Sequence, residues 1–410
     1  METLTDTIKI EELENGSILS PKGFSAGGTH AGLRYSKKDV GMIYSQVPAN
    51  SAAVYTLNHF QAAPILVTKD SLKASDQLQA VVVNSACANA CTGERGLVDA
   101  YEMRALTAKK MGIQPDLISV ASTGVIGEYL NMDKINKGIS QLELNDTEQS
   151  ADDFQTAILT TDTCTKQCGY KTKIDGKTVH MGGAAKGSGM IHPNMATMLG
   201  FITTDANILP ESLQQALKEV TDHSFNQITV DGDTSTNDMV LVMANGMAAN
   251  DPLTPNHPEW DHFLHLLSQT CEDLAKQIAK DGEGATKLVE VVVEGALNDL
   301  DARKVAKQIV GSNLVKTAIY GADANWGRII SAIGKAEVQV NAEQVTISIG
   351  PIKMLENSNP VPFSEEDAAV YLQNEFITIH VDMHLGNGKG KAWGCDLSYD
   401  YVKINASYRT

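Results

Sequence analysis

Met181-Gly-Gly-Ala-Ala-Lys-Gly-Ser-Gly-Met-Ile-His-Pro-Asn-Met-Ala-Thr-Met-Leu-Gly200 is the stretch of this 410-residue chain on which its reading turns. Its glycines predict a tight loop that crowds backbone N–H groups together, with Lys186 embedded among them. Pro193-Asn194 predicts a turn. Ala196-Thr197 then opens an apolar run, Met198 to Ile202, of the kind that enters a buried strand. A hydroxyl at a turn-to-strand junction beside a lysine fits a nucleophile, although on pattern alone a structural loop is the better reading.

Upstream, Gly23 to Gly32 reads as a glycine-rich loop. Ala80 to Val83 predicts a buried strand that enters Asn84-Ser-Ala-Cys-Ala-Asn-Ala-Cys-Thr-Gly93, whose small residues suit close packing at a helix start. Leu117 to Ala121 predicts a second strand, running into Ser122-Thr-Gly-Val-Ile-Gly127. Gln141 to Asp153 reads as a polar surface connection. Downstream, apolar residues at 260, 263, 264, 267, 271, 274 and 278 follow helical spacing, with Pro258 before them and Gly282 after. Leu288 to Val293, Glu337 to Val340, Val345 to Ile349 and Ile377 to Met383 predict strands, the last ending at a glycine turn, Gly386 to Gly390. Helices and strands alternate throughout, so the class is mixed α/β. No internal repeat is visible, and strand order is not readable from the sequence.

Composition narrows the function. Thirty-three Lys and Arg against 50 Asp and Glu give a net charge of −17, the wrong sign for a nucleic-acid or anionic-membrane partner. No apolar run approaches the roughly 18 residues of a membrane span. The first 14 residues, with Glu2, Asp6, Glu11, Glu12 and Glu14, lack the plan of a signal peptide, so a soluble cytoplasmic protein is expected. The six cysteines, at 87, 91, 164, 168, 271 and 395, include C-x-x-x-C pairs rather than zinc-type C-x-x-C, and read as buried thiols. No metal is expected.

Several familiar motifs fail. In Gly183-Ala-Ala-Lys-Gly-Ser-Gly189 the lysine precedes its glycine, so no phosphate loop forms, and His192 stands where G-x-G-x-x-G needs glycine. Asp231-Gly-Asp-Thr-Ser-Thr-Asn-Asp238 lacks the glycine and glutamate of a calcium loop. His257, His262 and His265 read as a solvated face.

The segment around Thr197 closely resembles K-G-x-G-M-x-x-P-x-x-A-T-M-L of the ornithine acetyltransferase family. The likeness spans the chain: Gly32-Leu-Arg34 with Lys38-Asp39, Asn84-Ser85 with Ala88-Asn-Ala-Cys-Thr-Gly93, Ser122-Thr-Gly124, Thr160-Thr-Asp-Thr163, Asp281-Gly-Glu-Gly-Ala-Thr286, Asp323-Ala-Asn-Trp-Gly-Arg328 and Asn405-Ala-Ser-Tyr-Arg-Thr410. Ala86-Cys87 stands where that family more often carries Gly-Asn, which puts packing near that loop in doubt. The resemblance implies a layered αββα-type sandwich akin to amino-terminal nucleophile hydrolases, with a smaller α/β lobe toward the C-terminus and lobes of about 1–290 and 291–410. It also implies self-cleavage between Ala196 and Thr197, giving chains 1–196 and 197–410 that assemble as an α2β2 heterotetramer.

The chemistry then assigns roles. A threonine hydroxyl needs a base within hydrogen-bond reach, and cleavage frees the amine of Thr197, with an ordinary pKa of about 7.7 to 8. By match to the family, Thr123 and Gly124 form the oxyanion hole, and Thr160, Asn405 and Thr410 contact substrate together with Thr197. An amino-acid substrate needs a cation and an anion, which Lys186 and Glu283 supply. Each has a plain alternative: a strand-to-helix turn for Ser122-Thr-Gly124, a surface charge for Lys186, a helix end for Glu283 and a frayed terminus for Thr410. The implied reaction moves acetyl from N-acetylornithine to glutamate. A self-cleaved hydrolase or aminopeptidase is the rival within enzymes, and a metabolite-binding relative the rival outside them. No cofactor is expected, and these motifs leave open whether acetyl-CoA also serves as donor.

Overall fold

The computed structural model describes residues 8–192 and 198–407. A nine-stranded sheet runs in the order Glu11–Glu12, Lys166–Ile174, Lys177–Lys186, Leu199–Thr204, Met239–Ala244, Val40–Tyr55, Gln77–Asn84, Ile118–Ser122, and Phe24–Thr29 also pairs with Val40–Tyr55. The 16-residue strand Val40–Tyr55 joins two halves of this sheet. Residues 40–44 pair with 80–84 and, past a register shift between Tyr44 and Ala49, residues 49–50 pair with 77–78, while residues 50–55 pair with Met239–Ala244.

Alternation of side chains along this strand sorts the layers. Ile43, Ala49 and Ala53 enter one inner core with Leu78, Val81 and Ala121 from one half and Phe201 and Leu241 from the other. Met42 faces the core under helices Ala63–Ser75 and Gly93–Met111, whereas Ala52 and Val54 face the core under Pro210–His223 and Trp260–Lys280. The result is helices, two sheet halves and helices again, the layered mixed α/β sandwich that was expected. Helix Trp260–Lys280 follows the expected spacing, burying Phe263, Leu267, Cys271, Leu274 and Ile278.

A seven-stranded sheet follows, in the order Asn359–Pro360, Ile352–Glu356, Thr346–Ile349, Phe376–Asp382, Leu288–Ala296, Gly388–Cys395, Ile228–Thr229. Helix Asp299–Val310 covers it through Ala302, Val305, Ala306 and Ile309. Position 290/291 falls within Leu288–Ala296, the sheet's first long strand, and Ile228–Thr229 joins the far edge from earlier in the chain.

Several local expectations change. Gly23 to Gly32 contains the strand Phe24–Thr29, and Met181 to Lys186 completes the strand Lys177–Lys186. Their glycines serve close approach, since a Cβ on Gly28 would lie 2.0 Å from the Asp153 carbonyl oxygen and one on Gly182 would lie 1.8 Å from that of Ser17. The polar stretch 141–153 contains the start of helix Glu148–Ile158, capped by the Thr147 side chain, and Phe154 and Ile158 bury in the inner core. Glu337 to Val340 forms no strand, and Glu337 takes a left-handed φ of 51°. The glycine turn is shorter than expected, because Gly388 already begins the strand Gly388–Cys395. Cys87, Cys168, Cys271 and Cys395 are buried as expected, but Cys91 and Cys164, both in loops, are exposed. Among the described residues no helix is long and apolar enough to cross a membrane.

Candidate active site

Strand ends from both halves of the sandwich converge on a cavity of about 210 Å³. Thr123, Gly124, Thr160, Lys186, Glu283 and Asn405 all line it, as does Met198. These residues come from widely separated parts of the chain, and the fold gathers them in one place. Ala196, Thr197 and Thr410 lie outside the described residues.

Thr123 and Gly124 follow the strand Ile118–Ser122, and the Thr123 N–H is tied to Asn84 O at 2.9 Å. Gly124 has φ of 124°, and a Cβ there would lie 2.4 Å from Ala86 O. Only glycine fits, and the atypical Ala86-Cys87 pair is the surface it packs on. Cys87 is itself held, its N–H donating to Asn84 Oδ1 at 3.1 Å and its thiol to Glu128 O at 3.0 Å.

Lys186 ends the strand Lys177–Lys186, is 7% exposed, and donates from Nζ to Thr123 Oγ1 at 3.4 Å. It is a buried cation rather than a surface charge. Burial pulls its pKa below the ordinary lysine value, and Asp162 opposes that pull. Asp162 accepts from Lys166 Nζ at 2.8 Å, from Gly187 N at 2.6 Å and from Thr160 N at 2.9 Å. Burial alone would raise the Asp162 carboxyl, but Lys186, Lys166 and these donors hold it well below the usual carboxylate range. Lys166 is fully buried and also reaches Asp281 Oδ2 at 2.5 Å. This chain of alternating charges anchors Thr160 and the loop after Lys186. Arg34 adds to it by donating from Nη2 to Thr160 O at 3.1 Å.

On the opposite wall, Asn405 Nδ2 donates to Glu283 Oε2 at 2.7 Å, bringing helix Tyr399–Ser407 back from the second sheet. Glu283 stands over Gly189, where a Cβ would lie 2.4 Å from its carboxyl carbon. An ammonium between Glu283 and Asn405 and an oxyanion at Thr123 and Gly124 would therefore share one cavity.

The ArgJ family model matches residues 25–410. The chain belongs to the ArgJ family. An arginine biosynthesis bifunctional protein ArgJ from Geobacillus kaustophilus is 66% identical over 410 residues, covering 100% of both chains. One from Bacillus subtilis is 64% identical over 395 residues, 96% of this chain and 97% of the relative. A crystal structure of ArgJ from Bacillus halodurans superposes with a TM-score of 0.51 at 64% identity, covering 52% of this chain and 100% of that one. The chain is accordingly an enzyme of arginine biosynthesis, an acetyltransferase acting on small molecules. These relatives do not favour the hydrolase or aminopeptidase reading.

Sequence reasoning missed part of this ArgJ-family cavity. Asp162 lay within the quoted Thr160-Thr-Asp-Thr163, but nothing local marked it as the partner of two lysines. The stretch Asp231 to Asp238 resembles a calcium loop by spacing and gives no local sign of its place in the cavity. It supplies Asp231, whose carboxylate accepts from Met190 N at 2.7 Å and Ile191 N at 2.9 Å, and it brings Asp238 to the cavity wall. Among the described residues no acid, His or Cys cluster suits a metal ion. Asp323 to Arg328 lies elsewhere, with Asn325 capping helix Trp326–Ile333.

Proposed function

We propose that the cavity transfers acetyl from N2-acetyl-L-ornithine to L-glutamate through an acetyl ester on Thr197, after self-cleavage between Ala196 and Thr197. The carrying observation is the joint placement of Thr123, Gly124, Lys186, Glu283 and Asn405 around one cavity that also includes Met198, the residue after Thr197. In the cleavage step the Thr197 hydroxyl attacks the Ala196 carbonyl, and the resulting ester is opened by water. The freed Thr197 amine, with an ordinary pKa of about 7.7 to 8, then takes the hydroxyl proton as Oγ attacks the acetyl carbonyl. It returns that proton to the leaving amine of ornithine. The Thr123 hydroxyl and the Gly124 N–H hold the oxyanion, and one such donor is worth about 3 to 4 kcal/mol of barrier. Glutamate reverses these steps and leaves as N-acetylglutamate.

Lys186 and Glu283 bind the charged ends of the substrate, with Thr160, Asn405 and Thr410 completing the contacts. The halodurans chain supports the cut: it matches over its whole length yet covers 52% of this chain, the share that residues 197–410 make up. We place the fragments in an α2β2 heterotetramer in the cytoplasm, with no nucleic-acid or membrane partner and no cofactor. Acetyl-CoA is a second acetyl donor on this reading, in keeping with the bifunctional relatives. The test is ornithine release from acetylornithine with and without glutamate. Glutamate should accelerate release and appear acetylated, and release at the same rate into water would sink the transferase reading. N-acetylglutamate formed from acetyl-CoA and glutamate would check the second donor.

A further inference from the structure

We infer that Asp238 adjusts the charge of the cavity to its two amino acids, staying ionised with ornithine bound and taking up a proton when glutamate binds. This rests on the transferase reading above. Ornithine brings one carboxylate and two ammonium groups, whereas glutamate brings two carboxylates and one ammonium. Both must occupy the same cavity, because one threonine receives the acetyl group and gives it up again.

The described wall is poor in cations: Lys186 stands against Asp231, Asp233, Asp238 and Glu283, with the Tyr401 phenol nearby. That balance suits ornithine and opposes glutamate unless one acid is neutralised. The acids differ in their hydrogen-bond partners. Burial raises the Asp231 carboxyl above its usual range, and the backbone N–H bonds it accepts from Asp233, Met190 and Ile191 oppose that rise. Glu283 is engaged by Asn405. Asp238 is 3% exposed, and its Oδ2 has no hydrogen-bond partner among the described residues. Ser235 and the charge of Lys186 favour its carboxylate, but burial outweighs them and pushes the carboxyl well above its usual range. A neutral Asp238 can donate to a carboxylate, and an ionised one can pair with an ammonium. The proton is exchanged with solvent, so the change is visible as a proton count.

The experiment is calorimetric titration of the purified protein with ornithine and, separately, with glutamate near neutral pH, in buffers of different ionisation enthalpy. No acetyl donor is present, so only binding is read. Wild type should take up close to one proton more per glutamate than per ornithine. In the isosteric Asp238→Asn that difference should vanish, and ornithine should lose affinity relative to glutamate by at least about tenfold, the size of one charged hydrogen bond. Asp238→Glu should keep the difference. Equal proton counts for the two ligands in wild type overturn the inference, as does an unchanged difference in Asp238→Asn. The wild-type count decides even if the variant misfolds. Equal counts leave the transferase reading standing, whereas failure of N-acetylornithine to acetylate Thr197 sinks that reading and takes this inference with it.

Discussion

Lys186 Nζ donates to Thr123 Oγ1 at 3.4 Å, so the buried cation and the hydroxyl of the cavity form one unit. An ammonium has no acceptor, which leaves the hydroxyl proton of Thr123 free to turn toward a developing oxyanion. Thr123→Ala should lower kcat by about 10²-fold with little change in KM. Lys186→Ala should lower kcat as well as raise KM, because it releases the hydroxyl it orients. Kinetics of both single variants and the double variant on acetylornithine, each first confirmed to be cut, give the coupling. The double variant should lose less than the product of the single losses, and a full product would disconnect the two groups.

Self-cleavage has a direct readout. Wild type should run as two bands on a denaturing gel and Thr197→Ala as one. Under native chromatography the two fragments should travel together, since one broken peptide bond leaves the shared core intact. An uncut wild type with full activity would overturn the amine of Thr197 as base.

Asp162 lies between Lys166 and Lys186 with no exposure of its side chain. Removing it takes a counter-charge from buried Lys186 and leaves Lys166 with Asp281 alone, and Asp162→Ala should cost about 3 to 5 kcal/mol in urea unfolding at neutral pH. Because its folded pKa lies below the unfolded one, its contribution is complete above the ordinary value of about 3.9. It is lost as pH falls through that value toward the folded one. The gap between wild type and variant should therefore narrow on acidification below pH of about 4. A gap that is constant with pH would mean that Asp162 is not ionised in the folded protein.

The carboxyl of Glu283 occupies the space a side chain on Gly189 would need, 2.4 Å away. Gly189→Ala should push Glu283 off Asn405 and raise KM for acetylornithine by about 10- to 100-fold, the worth of one charged hydrogen bond. Thermal unfolding of the same variant separates this from a general loss of stability. An unchanged KM in a folded variant would remove Glu283 from substrate binding.

Periodicity and motif order carried much of this protein. The helical spacing from Trp260 gives Trp260–Lys280, and the apolar runs give Gln77–Asn84, Ile118–Ser122 and Leu199–Thr204. These patterns are legible because burial of one face repeats within a single element, whatever it packs against. The family segments likewise marked Thr123, Gly124, Thr160, Lys186, Glu283 and Asn405, which the fold brings to one cavity. Only the tertiary structure decided the rest. The glycines at 28 and 182 read as loop residues, yet they sit in strands, where the carbonyls of Asp153 and Ser17 come too close for any side chain. Helix Glu148–Ile158 starts within a polar stretch because its few apolar side chains meet a core made by distant strands. Lys166 reaches Asp281 across more than a hundred residues, and Asp238 keeps an oxygen without a hydrogen-bond partner among the described residues, on the cavity wall with Lys186. Partnership and desolvation are properties of pairs brought together by folding, and no local pattern records them.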